Sequence, residues 1–211
     1  MQSRTVRILI VDDHPLVPEG LAAALAARLP DTVADCAGSI AAAVGLVRNN
    51  AYRLMLLDYH LPDANGFSGL FRMQHELGSV PIAVLSASAP PSLITAARAI
   101  GAAGFLSKAE PLDRLIVSIE RLVRGERVFP PDPAASPETR QLSERLATLS
   151  PAQMRVLAGL ARGQLNKQIA ADLELTEQTV KAHLTAVFRK LGVGNRLQAM
   201  LAVRPLLAPE E

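Results

Sequence analysis

The 211-residue sequence predicts a doubly wound α/β domain, with a five-stranded parallel sheet, followed by a smaller all-α domain. Three observations carry this prediction. Five short apolar runs alternate with five helix-length, Ala-rich stretches up to about residue 124. The runs show little polar alternation, as strands covered on both faces should. Beyond a stretch holding Pro130, Pro131, Pro133 and Pro137, only helical patterns follow.

The runs are VRILIV (6–11), TVADCA (32–37), RLMLLD (53–58), PIAVLS (81–86) and GFLS (104–107). They are rich in β-branched residues or leucine, which suits buried strands. The helical stretches between them cover roughly 15–28, 39–50, 66–77, 91–101 and 111–124. Crossovers of this length join parallel neighbours. The boundaries follow: a first domain at 1–124, a linker at 125–148, and a helical domain at 149–211. The linker is extended where the prolines fall, and helix-forming from about Glu138. In the last domain Ser150 is an N-cap, Pro151 the first helical residue, and Gln153 the capping-box partner. Gly163 ends that helix; a short one covers about 166–172. Thr176 caps TEQTVKAHLTAVFRKL, and Asn195 caps NRLQAMLAV.

Charge separates the two parts. Residues 1–124 hold 11 basic and 11 acidic side chains, whereas residues 149–200 hold seven basic against three acidic. That basic bias suits a polyanion. Cys36 is the only cysteine, so an intrachain disulfide and a CxxC zinc site are excluded; in TVADCA it is expected as an inert buried thiol. No stretch approaches the roughly 18 apolar residues of a membrane span. The opening MQSRTVRILIVDDH meets acids too early for a signal peptide, so no membrane contact and a cytoplasmic location are expected.

In a doubly wound sheet, ligands bind beyond the carboxyl ends of the strands, where strand order reverses. Asp12 and Asp13 follow the first run, Asp58 closes the third, Ser86 closes the fourth, and Lys108 follows the fifth. Clustered carboxylates repel one another and call for a cation; all-oxygen ligation suits Mg²⁺. A lysine and a hydroxyl add the means to neutralise a phosphoryl group in transfer. One carboxylate can be the nucleophile, giving an acyl phosphate. His14 adjoins the acid pair, as a ligand or at the rim.

VDDHPLV, LLDYHLPDANG, VLSAS and GFLSK, in this order and spacing, resemble the receiver domain of two-component response regulators over about residues 5–124. The resemblance implies a flavodoxin-like fold and Asp58 as phosphoacceptor, fed by a histidine kinase. It implies Mg²⁺ held by Asp13, Asp58 and the backbone carbonyl of His60, with Asp12 acting mainly through water. Lys108 would pair with the phosphoryl group, Ser86 would move toward it, and Phe105 would turn inward as a packing switch. His60 and Ser88 fill positions that tune dephosphorylation in this family. Pro18 stands where the family often has Arg, and predicts a bent start to the first helix.

In the last part, LNKQIAADLELTEQTVKAHLTAVFRKLGVGNR reads as two helices and a short turn. Val180, Leu184, Val187, Phe188 and Leu191 form one apolar stripe. The opposite face carries Gln178, Lys181, Ala182, Thr185 and Arg189, a set that can read base edges and neutralise phosphates. The whole of LSPAQMRVLAGLARGQLNKQIAADLELTEQTVKAHLTAVFRKLGV is similar to the LuxR-type helix-turn-helix of the NarL/FixJ subfamily. Gln153 and Gln168 stand where that family commonly has Glu. The resemblance implies Lys181, Ala182 and Thr185 in the major groove of double-stranded DNA, with Lys167, His183 and Lys190 at backbone or structural contacts. It also implies a homodimer, because two half-sites raise effective concentration.

The combined expectation is a phosphorylation-dependent, DNA-binding transcription regulator and not an enzyme. The alternative is a DNA-binding regulator whose receiver works without phosphorylation. A haloacid-dehalogenase-like hydrolase needs a second Asp two residues past the nucleophile, where His60 stands. A dinucleotide-dependent oxidoreductase needs a GxGxxG after the first strand, and none is there.

Overall fold

The computed structural model describes residues 5–64, 66–130 and 137–207. The chain divides into two compact units, residues 1–89 with 102–131, and residues 90–101 with 132–211.

The first unit is built on β1 (Val6–Val11), β2 (Thr32–Ala37), β3 (Leu54–Asp58), β4 (Ile82–Ser86) and β5 (Gly104–Ser107). All neighbours pair in parallel, in the order β2-β1-β3-β4-β5. The order reverses between β1 and β3, so a crevice opens there at the carboxyl edge. Every side chain of β3 and β4 is buried. α1 (Leu16–Arg28), α2 (Ile40–Val47), α3 (Ser68–Leu77) and α5 (Leu112–Val123) complete this unit. Ile8, Ile10, Leu54, Leu56, Leu85 and Leu106 pack with Leu21 and Leu25 of α1 and with Leu115, Ile116 and Ile119 of α5 in one core. Burying aliphatic groups of this size stabilises the fold by roughly 1.5–3 kcal/mol each before entropy is counted.

Three local findings differ from the sequence reading or add to it. β2 is an edge strand with only one neighbour, and its side chains are mostly part-exposed. Cys36 is therefore exposed rather than buried, a correction. Partial desolvation of the thiol, with Asp35 and Glu19 adding to it, still pushes its pKa up, so the thiolate is disfavoured. Pro18 falls in the first turn of α1, where the missing N–H has no intrahelical partner to lose. The proline-bearing stretch does not leave the sheet at residue 124. Val128 accepts from Phe105 N–H at 2.8 Å and donates to Ala103 at 3.1 Å, extending the β5 edge. A Cβ on Gly104 would lie 2.6 Å from the Val128 carbonyl, so only glycine admits this pairing.

The second unit contains α4 (Pro91–Ala99), α6 (Pro137–Ala147), α7 (Pro151–Ala161), α8 (Asn166–Asp172), α9 (Glu177–Leu191) and α10 (Arg196–Leu207). The capping box expected at α7 is complete: Ser150 Oγ accepts from Gln153 N–H at 3.2 Å, and Gln153 Oε1 accepts from Ser150 N–H at 3.0 Å. Thr176 caps α9 and Asn195 caps α10, as expected. Gly163 and Gly192 adopt positive φ after α7 and α9. Among the described residues no helix is long and apolar enough to cross a membrane.

Candidate functional site

The β-sheet register brings the acids together. Val11 of β1 pairs with Leu57 of β3, so Asp12 stands level with Asp58 at the crevice. Asp58 pairs with Leu85, and Ser86 with Ser107, which sets Ser86 and Lys108 beside them. The Lys108 ammonium lies 2.7 Å from Asp12 Oδ2 and 2.9 Å from Asp58 Oδ2. Asp12 is 2% exposed, Asp58 4%, and Ser86 is fully buried. Asp13 and His14 lie on the rim; His14 Nδ1 is 2.9 Å from Asp13 Oδ1 and 3.4 Å from Asp12 Oδ1.

Burial raises the Asp58 pKa. Lys108 opposes it through hydrogen bonding and charge, the nearby Asp12 adds to it, and a bond from the His60 N–H lowers it. Burial lowers the Lys108 pKa, but the two carboxylates outweigh that and leave it raised. The pocket thus holds a buried carboxylate whose charge depends on a neighbouring cation.

Apart from the Lys108 ion pairs, the buried Asp12 Oδ2 and Asp58 Oδ2 have no hydrogen-bond partner among the described residues. Ligand atoms of Asp12, Asp13, His14 and Asp58 all lie within 4.8 Å of one another. Two buried carboxylates sharing one ammonium, with Asp13 beside them at the rim, fit a hard divalent cation. Phe105, three residues before Lys108, is buried in the fold. His60 and Ser88 are exposed beside the pocket, and Ser88 N–H donates to Ser86 Oγ at 3.3 Å.

The second unit presents its own site. Val180, Leu184, Val187 and Leu191 of α9 are buried, with Phe188 partly so. Gln178, Lys181, Ala182, Thr185 and Arg189 are exposed on the opposite side. Lys167 of α8 is exposed as well. Lys190 turns inward, donating to the Thr148 carbonyl at 2.7 Å and to Gln153 Oε1 at 2.9 Å. Arg196 bonds to the Gln164 carbonyl and Asn166. Both cations are occupied in holding the fold.

Sequence reasoning missed two positions. Arg145 of α6 donates to the last carbonyl of α9, Leu191, at 2.7 Å, supporting that helix end. A Cβ on Gly192 would sit 2.9 Å from the Arg145 guanidinium. Asp63, in the loop after β3, caps α2 from a distance. In sequence each looks like an ordinary surface charge, because its partner is a backbone group far along the chain.

Comparison with known proteins agrees with this arrangement. Residues 8–120 match the family described as "Response regulator receiver domain", and residues 147–203 match "Bacterial regulatory proteins, luxR family". The chain is 33% identical over 207 residues to the glycerol metabolism activator of Pseudomonas putida, covering 93% of this chain and 94% of the relative. It is 31% identical over 202 residues to the probable transcriptional regulatory protein NarL of Mycobacterium tuberculosis, covering 94% of each. A structure of RcsB from Salmonella enterica serovar Typhimurium, bound to a promoter with the phosphomimetic BeF3−, has the same fold: TM-score 0.54 at 20% identity, covering 95% of this chain and 98% of that one. The receiver sheet with its acidic crevice, followed by a luxR-type helical unit, makes this chain a member of the transcriptional response regulators, a family of regulators rather than enzymes.

Proposed function

We propose that Asp58 accepts a phosphoryl group from a histidine kinase and that this controls DNA binding through α9. The observation that carries the reading is a buried Asp58 bridged by Lys108 to Asp12 at the topological switch point of the sheet. An Asp58 carboxylate oxygen attacks the phosphorus of the kinase phosphohistidine. The P–N bond breaks as the P–O bond forms, and the imidazole leaves with a proton. Lys108 favours the Asp58 carboxylate against the cost of its burial, and then pairs with the phosphoryl oxygens. Asp12, Asp13 and Asp58, with the His60 carbonyl, would hold Mg²⁺. When bound, Mg²⁺ neutralises the phosphoryl oxygens.

Ser86 donates to the phosphoryl group and Phe105 moves with it as the packing switch. His60 and Ser88, exposed beside the acid, tune the phosphate lifetime. In the C-terminal domain Lys181, Ala182 and Thr185 enter the major groove, flanked by Gln178, Arg189 and Lys167. Two copies bind two half-sites of double-stranded DNA in the cytoplasm. The decisive test is labelling by a small phosphodonor with Mg²⁺: Asp58→Asn abolishes it, and stoichiometric labelling of that variant refutes the assignment.

A further inference from the structure

We propose that Asp63 is a positioning residue for the phosphoacceptor site: its carboxylate struts the β3–α3 loop against α2 and so fixes the backbone groups of that loop facing Asp58. This rests on the reading of Asp58 as phosphoacceptor.

The geometry is unusual for a helix cap. Asp63 Oδ1 accepts from Ile40 N–H at 2.9 Å, and Oδ2 accepts from Ala41 N–H at 2.9 Å. Ser39 Oγ takes Ala42 N–H at 3.2 Å, and the Ser39 carbonyl takes Ala43 N–H at 3.0 Å. Three orphan donors of α2, the Ile40, Ala41 and Ala42 N–H groups, are therefore satisfied, two of them by a carboxylate 23 and 22 residues away, and the Ala43 bond is the first of the helix itself. Helices commonly satisfy these donors with local caps and water, so α2 has no need of a remote group for its own sake. The exposed carboxylate also benefits from the positive end of α2.

The strut adds a fixed point on the loop. Asp63 lies five residues past Asp58, between Leu61 and Ala64, which are bridged by Ala64 N–H to Leu61 O at 3.2 Å. Tyr59 and Phe67 close the loop edge-to-face, with ring centroids 5.0 Å apart. At its far end a Cβ on Gly69 would meet Ile40 Cδ1 at 3.0 Å and Ala64 Cβ at 3.2 Å. Loop, α3 and the first residue of α2 thus meet at one tight junction. Within this loop the His60 N–H bonds to the Asp58 carboxylate. The same residue's carbonyl belongs to the proposed metal set. A loop released at Asp63 displaces both groups, and sub-ångström to ångström displacements weaken metal binding and transfer together.

The test compares Asp63→Ala, Asp63→Asn and Ser39→Ala in the full chain. The readouts are thermal unfolding, Mg²⁺ affinity by calorimetry, and the initial rate of acyl-phosphate formation from acetyl phosphate. Asp63→Ala weakens Mg²⁺ binding about tenfold and slows labelling at subsaturating Mg²⁺ in proportion. Asp63→Asn keeps one acceptor, retains the fold, and shows part of the loss. Ser39→Ala removes a cap from the same helix, lowering its stability without changing Mg²⁺ affinity. An Asp63→Ala effect on Mg²⁺ affinity no larger than that of Ser39→Ala, or none, overturns the positioning role alone. A wild-type chain that takes no label at all overturns the phosphoacceptor reading and this inference with it.

Discussion

The salt dependence of DNA binding tests how much of the basic charge on the C-terminal domain faces phosphate. Seven basic side chains lie between residues 149 and 200. Lys190 and Arg196 donate to backbone carbonyls, and Arg162 donates to Gln164 at 3.0 Å. The Arg155 Nε is buried. Arg162 is exposed but engaged by Gln164, which leaves Lys167, Lys181 and Arg189 to meet phosphate. With three phosphates neutralised per half-site, the slope of log affinity against log salt is about −2.7. If all seven took part, it would be about −6.3. A fourfold rise in salt therefore weakens binding per half-site by about 40-fold in the first case and about 6,000-fold in the second. Anisotropy of a labelled duplex, its site first chosen by binding selection from a random pool, with the full chain titrated at several salt concentrations, measures this slope. Lys181→Ala makes the slope shallower by about 0.9 per half-site. A wild-type slope near −6 per half-site, or an unchanged slope in Lys181→Ala, refutes the count and the assigned face.

Two further predictions follow from local geometry. Leu165, at the N-cap of α8, has an extended backbone and is 66% exposed; Gln168 Oε1 accepts from its N–H at 2.7 Å, but the leucine side chain returns no acceptor, and the Gln168 N–H bonds to the Leu165 carbonyl at 2.9 Å. Leu165→Ser completes the reciprocal cap and stabilises by about 1 kcal/mol, raising the melting temperature of the C-terminal unit by about 4–8 °C; an unchanged or lower melting temperature counts against this. Tyr52 and Tyr59 are both pushed up to about 12, Tyr52 by burial and by its 2.7 Å bond to Asp35, and Tyr59 by burial. A phenol raised above its unfolded pKa of about 10 favours folding below that pH, and the contribution is lost as pH rises through the folded value. With two tyrosines and no tryptophan, the 295 nm phenolate band reads them alone. No phenolate should appear in the folded chain below about pH 10.5; earlier ionisation of either ring refutes its buried placement.

Much of this molecule is legible in its sequence, and the reason differs from place to place. The strands announce themselves because burial on both faces leaves no polar alternation, as in LMLLD and IAVLS. β2 departs from that rule because an edge strand has a neighbour on one side only, and Cys36 was misplaced for that reason. Asp12, Asp58, Ser86 and Lys108 could be grouped in advance because parallel topology sends all carboxyl ends to one edge. The exposed polar face of α9 follows from the 3.6-residue period of its apolar stripe. Asp63 and Arg145 are not legible in the same way. Each bonds to a backbone group of another element, and a backbone acceptor or donor has no residue type to betray it.

The inward hold on α9 has a practical consequence for where the chain can be cut. Arg145, Leu146 and Thr148 precede the start of α7, yet Arg145 supports the last carbonyl of α9, Leu146 is fully buried, and Thr148 receives Lys190. A fragment begun at residue 149 discards all three contacts and exposes the C-terminal turn of the reading helix to fraying. A fragment that keeps these contacts therefore starts no later than α6, and it should melt higher than one begun at residue 149.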